Sequence, residues 1–343
     1  MTNTSTYPPI PITNLKVGTT TVRDELHFTG GLRALRLESG WIIGPILRDG
    51  HAKFAGPIAE ESIAVVGRSM GTQLFGAEEI SGTDPNLPAR LWRPLLGPPL
   101  LKHQPTDTWG MIASGARMAN DIDYARLASN LSVSLRAASL QLRNASNEYH
   151  KQLLAALASG KGVRLRFSNI PMIDLQLAFH SALMEMASAR DYLAQVAARR
   201  VHAPNRIDAL NRLQDCLNKP VHAQALADDL IVRLLAAADA QASDPWLADI
   251  TEYRNLFLHR EHMGATAKWL TLEEHDSSVG PVRTVNMSIN VRPGAAAMCD
   301  ALTRFITLYN ELCRLADFAA TLAPYAAEPP HFVHLGPQEP AGK

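Results

Sequence analysis

Cysteine is scarce: Cys216, Cys299 and Cys313 are too few and too scattered in 343 residues for a disulfide framework or a zinc site. They read as small buried apolar residues in a reducing compartment. An excess of charge of either sign is also missing. The 33 basic and 33 acidic side chains cancel, so no overall field exists to hold nucleic acid or an anionic membrane, and any such contact is local. No uncharged apolar run is long enough to span a bilayer, and the opening residues, through Pro8 and Pro9, lack the basic flank and apolar run of a signal peptide. A glycine-rich phosphate loop with its lysine is absent, which removes the usual motif for nucleotide hydrolysis. The expectation is a cytoplasmic protein with no membrane segment and no bound cofactor.

What is present changes character near residue 120. Residues 1–120 are rich in glycine and proline, and their short apolar runs, Leu35 to Ile46 and Ser62 to Val66, read as strands in an irregular or mixed α/β region. Between Asp84 and Asp107 stand Pro85, Pro88, Pro94, Pro98, Pro99 and Pro105, so that segment reads as a connector. From Asp121, Leu127, Leu131, Leu135, Ala138, Leu142, Ala145, Tyr149 and Leu153 recur at threes and fours, one buried helical stripe ending near Gly160. A second long helix follows Pro171 and ends near Arg199 and Arg200. Shorter helices are expected over Arg206 to Leu217 and over Ala223 to Ala240, and another opens at Ser243-Asp244-Pro245. Val285, Met287, Ile289 and Val291 alternate with polar residues, which predicts a β-hairpin with Lys268 to Leu272. A last helix is expected from Pro293-Gly294. The reading is a mainly α fold: an up-and-down helical bundle over 121–324 with a β-hairpin insertion, and a loose tail over 325–343.

The stretch Glu252-Tyr253-Arg254-Asn255-Leu256-Phe257-Leu258-His259 sets a permanent cation, an amide and an imidazole within about a turn and a half of helix. Arginine neutralises charge developing on phosphate, and histidine as a residue type moves protons near neutral pH. Arginine, asparagine, three residues, then histidine, on a helix in a bundle, resembles the HEPN superfamily of ribonucleases. That resemblance implies a HEPN-like bundle and metal-independent endoribonuclease activity, in which the ribose 2′-hydroxyl attacks the adjacent phosphate to leave a cyclic phosphate. His259 would move the proton, Arg254 would stabilise the transition state and Asn255 would orient one of them. It further implies a prokaryotic defence or toxin setting, a homodimer with both motifs facing one cleft, an RNA substrate and a regulatory protein partner. On an ideal helix five steps place Arg254 and His259 about 140° apart. The stretch is therefore an active centre if the helix end is distorted or a second chain completes it, and a charged helix terminus otherwise.

Other patterns compete. Arg143-Asn144 followed by His150 also satisfies the loose motif, and reads as a solvated polar face with Arg136. Gly67-Arg68-Ser69-Met70-Gly71 after an apolar run resembles a nucleophile elbow and suggests a serine hydrolase using Ser69. His259 and His262 have a metal-compatible spacing in neither usual metalloprotease order, so no metal is expected. Arg199, Arg200 and Arg206 read as a solvated helix end or as a track for RNA. Asp228-Asp229 reads as the solvated side of its helix. The alternative to catalysis is a silent helical module that binds a protein or RNA partner.

Overall fold

The computed structural model describes residues 12–13, 24–48, 51–81, 89–96, 104–204 and 206–329. Its N-terminal part is a seven-stranded antiparallel sheet of β1 (Ile12–Thr13), β2 (Asp24–Phe28), β3 (Arg33–Leu37), β4 (Gly40–Arg48), β5 (His51–Ile58), β6 (Leu74–Ser81) and β7 (Ala89–Pro94). The spatial order is β1-β5-β4-β3-β2-β6-β7, with β1 contributing only a two-residue pairing at one edge. The helix α1 (Ile63–Ser69) links β5 to β6.

This corrects the mainly α expectation: with this sheet, and two smaller ones further on, the architecture is mixed α/β. The apolar run after Ser62 is helical, not extended, because α1 lays Ile63 and Val66 into the core and brings Gly67 against Phe28, where a Cβ would overlap the ring. Pro105 does not belong to a connector. It opens α2 (Pro105–Met118), where its missing N–H is harmless in the first turn.

The helical layer is built on α3 (Ile122–Ala158) and α4 (Met172–Arg200), which pack along one another. Asp121 caps α3 by accepting from the Tyr124 N–H at 3.0 Å. The expected stripe of α3 is buried throughout, from Leu127 to Leu153. Phe179 of α4 and Phe305 of α9 (Ala301–Thr321) meet at 5.1 Å in the same core, each burial contributing about 1.5–3 kcal/mol. The smaller helices are α5 (Leu210–Leu217), α6 (Asp229–Ala238), α7 (Trp246–Asn255) and α8 (Met263–Thr266).

The expected hairpin is present as β9 (Leu270–Ser277) and β10 (Gly280–Asn286), joined by β8 (Arg166–Phe167). Past Asn286 the alternation continues into a separate ribbon, β11 (Ser288–Asn290) with β12 (Met298–Asp300). Pro293 and Gly294 therefore lie in that ribbon's turn, and α9 begins only after Asp300, whose carboxylate accepts from the Thr303 N–H. Asp228 is likewise a cap and not part of a solvated side, since its Oδ1 accepts from the Leu230 and Ile231 N–H groups at the start of α6. Among the described residues no helix is long and apolar enough to cross a membrane.

Candidate functional site

The motif helix α7 is fixed from three sides. Leu247, Ile250 and Tyr253 are buried, Tyr253 meets Phe305 edge-on at 5.5 Å, and its hydroxyl donates to the Asn290 carbonyl of the β11–β12 ribbon. Thr251 accepts from Arg190 of α4. Asp249 takes Arg304 of α9 and Arg292 at 3.4 Å; burial raises its pKa and the two guanidiniums oppose that.

Beyond Asn255 the chain leaves the α-helical path. Leu256–Arg260 form a π-helical turn, closed by the Glu261 N–H on the Leu256 carbonyl at 2.8 Å, after which Glu261 is extended. The buried Phe257 stacks on Tyr253 at 6.0 Å and holds the turn to the core. Because a π turn closes over five residues rather than four, the positions it spans rotate less per residue, and the offset between Arg254 and His259 falls below that of an ideal α-helix. The distortion posed as a condition by the sequence is therefore real. The helix ends at Glu261, and α8 begins two residues later at Met263.

Arg254 and Asn255 are half-buried neighbours, with the Arg254 guanidinium donating to the Asn255 Oδ1 at 3.3 Å. Among the described residues no carboxylate lies within ion-pair distance of Arg254. His259 and Arg260 are exposed on the π turn, and His259 shares no hydrogen bond with Arg254 or Asn255. The structure thus joins two of the three motif residues and leaves the third facing solvent beside them.

The competing patterns fare differently. Ser69 ends α1, and its hydroxyl donates to the Val66 carbonyl at 2.8 Å in an ordinary helical turn. A nucleophile elbow requires a strand before the turn, and none is there. The Arg143 and His150 face is not solvated: it packs beneath the sheet. Arg143 pairs with Glu78 at 3.4 Å, and His150 Nδ1 donates to the Gly31 carbonyl at 2.8 Å. Burial and the neighbouring Arg33 bring the His150 pKa down to about 4.

Sequence reasoning missed the polar network to which these two belong. Register puts Glu25 opposite Glu78 and His27 opposite Arg33 on one face of the sheet. Arg33 bridges to Glu25 at 3.0 Å and donates to Ser146 and Asn147 of α3, while Arg90 meets Glu78 at 2.8 Å. The buried His27 sits against Trp92 at 4.8 Å, and burial followed by the charge of Arg33 pushes its pKa well below the usual range.

Glu25, His27 and Glu78 each offer a ligand atom within 4.8 Å of the others, a spacing that would suit a metal ion. The surrounding charge does not suit one. Arg33, Arg90 and Arg143 already compensate the two carboxylates, so a divalent cation would enter a site with surplus positive charge. The network instead clamps the sheet to α3. The sequence signal for it was faint, namely charged residues at strand positions flanked by apolar ones.

Compared with protein-family models, curated proteins and solved structures, the chain matches none.

Proposed function

We propose that this protein cleaves RNA without a metal ion, using Arg254, Asn255 and His259 at the π turn, with a second copy of the chain forming the opposite wall of the site. The reaction itself is the one implied by the resemblance to HEPN ribonucleases. The observation that carries the proposal is the π-helical turn over Leu256–Arg260, because π turns are rare and concentrate at functional positions. Two further features support it. Arg254 keeps a guanidinium with no acidic partner among the described residues, as a group meant for phosphate should. Exposed apolar side chains lie nearby in the chain or packing: Leu258 on the π turn, Trp269, and Ile173 and Leu177 on the part of α4 whose Gln176 donates to the Ala267 carbonyl. Such side chains suit a self-complementary two-fold contact.

In this mechanism His259 takes the proton from the 2′-hydroxyl or returns one to the 5′-oxygen, and Arg254, held by Asn255, meets the negative charge that grows on the phosphoryl oxygens. The test is incubation of purified protein with RNA in excess chelator. Wild type should yield 2′,3′-cyclic phosphate ends, and Arg254→Ala and His259→Ala should each slow cleavage by about 100-fold or more. A 2′-deoxy substitution at the cut site should abolish the reaction. Cleavage that persists in both variants would sink this assignment.

A further inference from the structure

At one end of the bundle α3 and α6 begin while α4 and α9 finish, and the chain at Pro324 and Tyr325 folds over the junction. These elements enclose a cavity of about 380 Å³, a volume typical of small-molecule sites. Its apolar wall comes from Val196, Leu230, Ala319 and Leu322. Its polar wall comes from Tyr124, Arg199, Arg200, His202 and Asp121.

Three features of this cavity suit a ligand. First, its lining includes two arginines and one carboxylate. Asp121 is already engaged by the Tyr124 N–H and the Tyr325 hydroxyl. Arg200 is tied to Asp228 at 2.6 Å and to the Leu322 carbonyl, whereas Arg199 reaches Asp123 only at 3.9 Å and is 43% exposed at the rim.

The second feature is backbone conformation. Among the described residues four α-helices end with the same closure, an N–H bonded to the carbonyl five residues earlier, seen as Thr72 to Gly67, Asp121 to Ala116, Lys161 to Ala156 and Ala203 to Ala198. The left-handed residue before that N–H is Gly71, Asn120 and Gly160 in the first three; in the fourth it is His202, with φ +52°, exposed and lining the cavity. Third, the Tyr124 and Tyr325 rings meet at 5.4 Å, so an aromatic surface borders the space.

We propose that this cavity binds a nucleoside monophosphate, with the phosphate at Arg199 and His202 and the base against Leu230, Leu322 and Tyr325. The volume holds a molecule of that size, the Arg199 guanidinium at the rim matches its charge, and the apolar and aromatic wall matches its ring. The site does not depend on the ribonuclease reading, and no bond is made or broken there.

Titration calorimetry on the full chain with 5′-AMP, GMP, CMP and UMP tests it. At least one nucleotide should bind saturably at one site per chain, while inorganic phosphate and adenosine bind at least tenfold more weakly. Arg199→Gln should weaken binding tenfold or more. His202→Gly should weaken binding while raising thermal stability, a pair of effects that loss of folding cannot produce. Arg254→Ala should leave the affinity unchanged, which separates this cavity from the RNA site. No saturable binding of any of the four nucleotides up to about 10 mM would overturn the proposal. Equal affinity in wild type and Arg199→Gln would overturn it too.

Discussion

Replacing His150 by asparagine tests the buried network through its pH dependence. In the folded chain the imidazole is held neutral, donating from Nδ1 to the Gly31 carbonyl, with burial and then Arg33 holding its pKa at about 4. In the unfolded chain a histidine titrates near 6.5. Between these values the unfolded state binds a proton that the folded state does not, so the contribution is fully present above pH 6.5 and is lost as pH falls towards 4. Going from pH 7 to pH 4.5 covers most of that window, and the loss from this one group is about 2–3 kcal/mol. Asparagine can keep a donor near the carbonyl and cannot titrate. Urea unfolding of wild type and His150→Asn at both pH values isolates the effect, because carboxylates common to both chains cancel in the difference. The expected outcome is an asparagine variant somewhat less stable at pH 7 but losing about 2–3 kcal/mol less on acidification. Equal losses in the two chains, within about 0.5 kcal/mol, would refute the view that His150 is a neutral buried member of the clamp.

Gly31 should tolerate no side chain: at φ +89° an alanine Cβ would sit 2.7 Å from the Tyr149 carbonyl of α3. Gly31→Ala is expected to cost about 2–4 kcal/mol in urea unfolding, and a change below about 0.5 kcal/mol would contradict the close sheet-to-helix approach. Asp228→Ala removes the cap of α6 and the partner of Arg200, and should lower stability by about 1–2 kcal/mol. An unchanged midpoint would return Asp228 to the solvated role that the sequence suggested.

The long helices were legible because apolar packing alone decides them. The stripe from Leu127 to Leu153 and the cap at Asp121 needed no knowledge of what lay opposite. The sheet was hard to read for the converse reason. A strand half-buried in the usual way alternates apolar and polar residues, but β2 buries Leu26, His27 and Phe28 in succession, and Arg33 and Glu78 are buried beside them. Two partners, Glu25 for Arg33 and Arg90 for Glu78, stand on adjoining strands, but Asn147 and Arg143 of α3 are more than sixty residues away in sequence, so no local window shows the helix half of the network. Proline misled in both directions, since Pro105 opens a helix and Pro293 sits in a ribbon turn. At the candidate site the residues were legible and their geometry was not. Nothing in the spacing from Arg254 to His259 distinguishes an α turn from a π turn, which depends on Phe257 holding to Tyr253 while the chain departs at Glu261.

The same short pattern occurs twice in this chain, and tertiary context separates the two copies. Arg143 and His150 lie on the side of α3 that the sheet covers, so the arginine is spent on Glu78 and the imidazole on the Gly31 carbonyl. Neither can meet a substrate, and the fold needs both where they are. Arg254 and His259 lie where α7 leaves the core, one half-buried and touching Asn255, the other in solvent. A helix bearing arginine, asparagine and histidine becomes a candidate site only where no strand is laid across it. In the first copy burial, and then the charge of Arg33, hold the imidazole neutral well into acid, whereas a proton shuttle needs an imidazole in contact with solvent and substrate. The sheet that displaced the mainly α reading is thus also what covers Arg143 and His150, leaving the π turn as the occurrence of the pattern on which the proposed reaction rests.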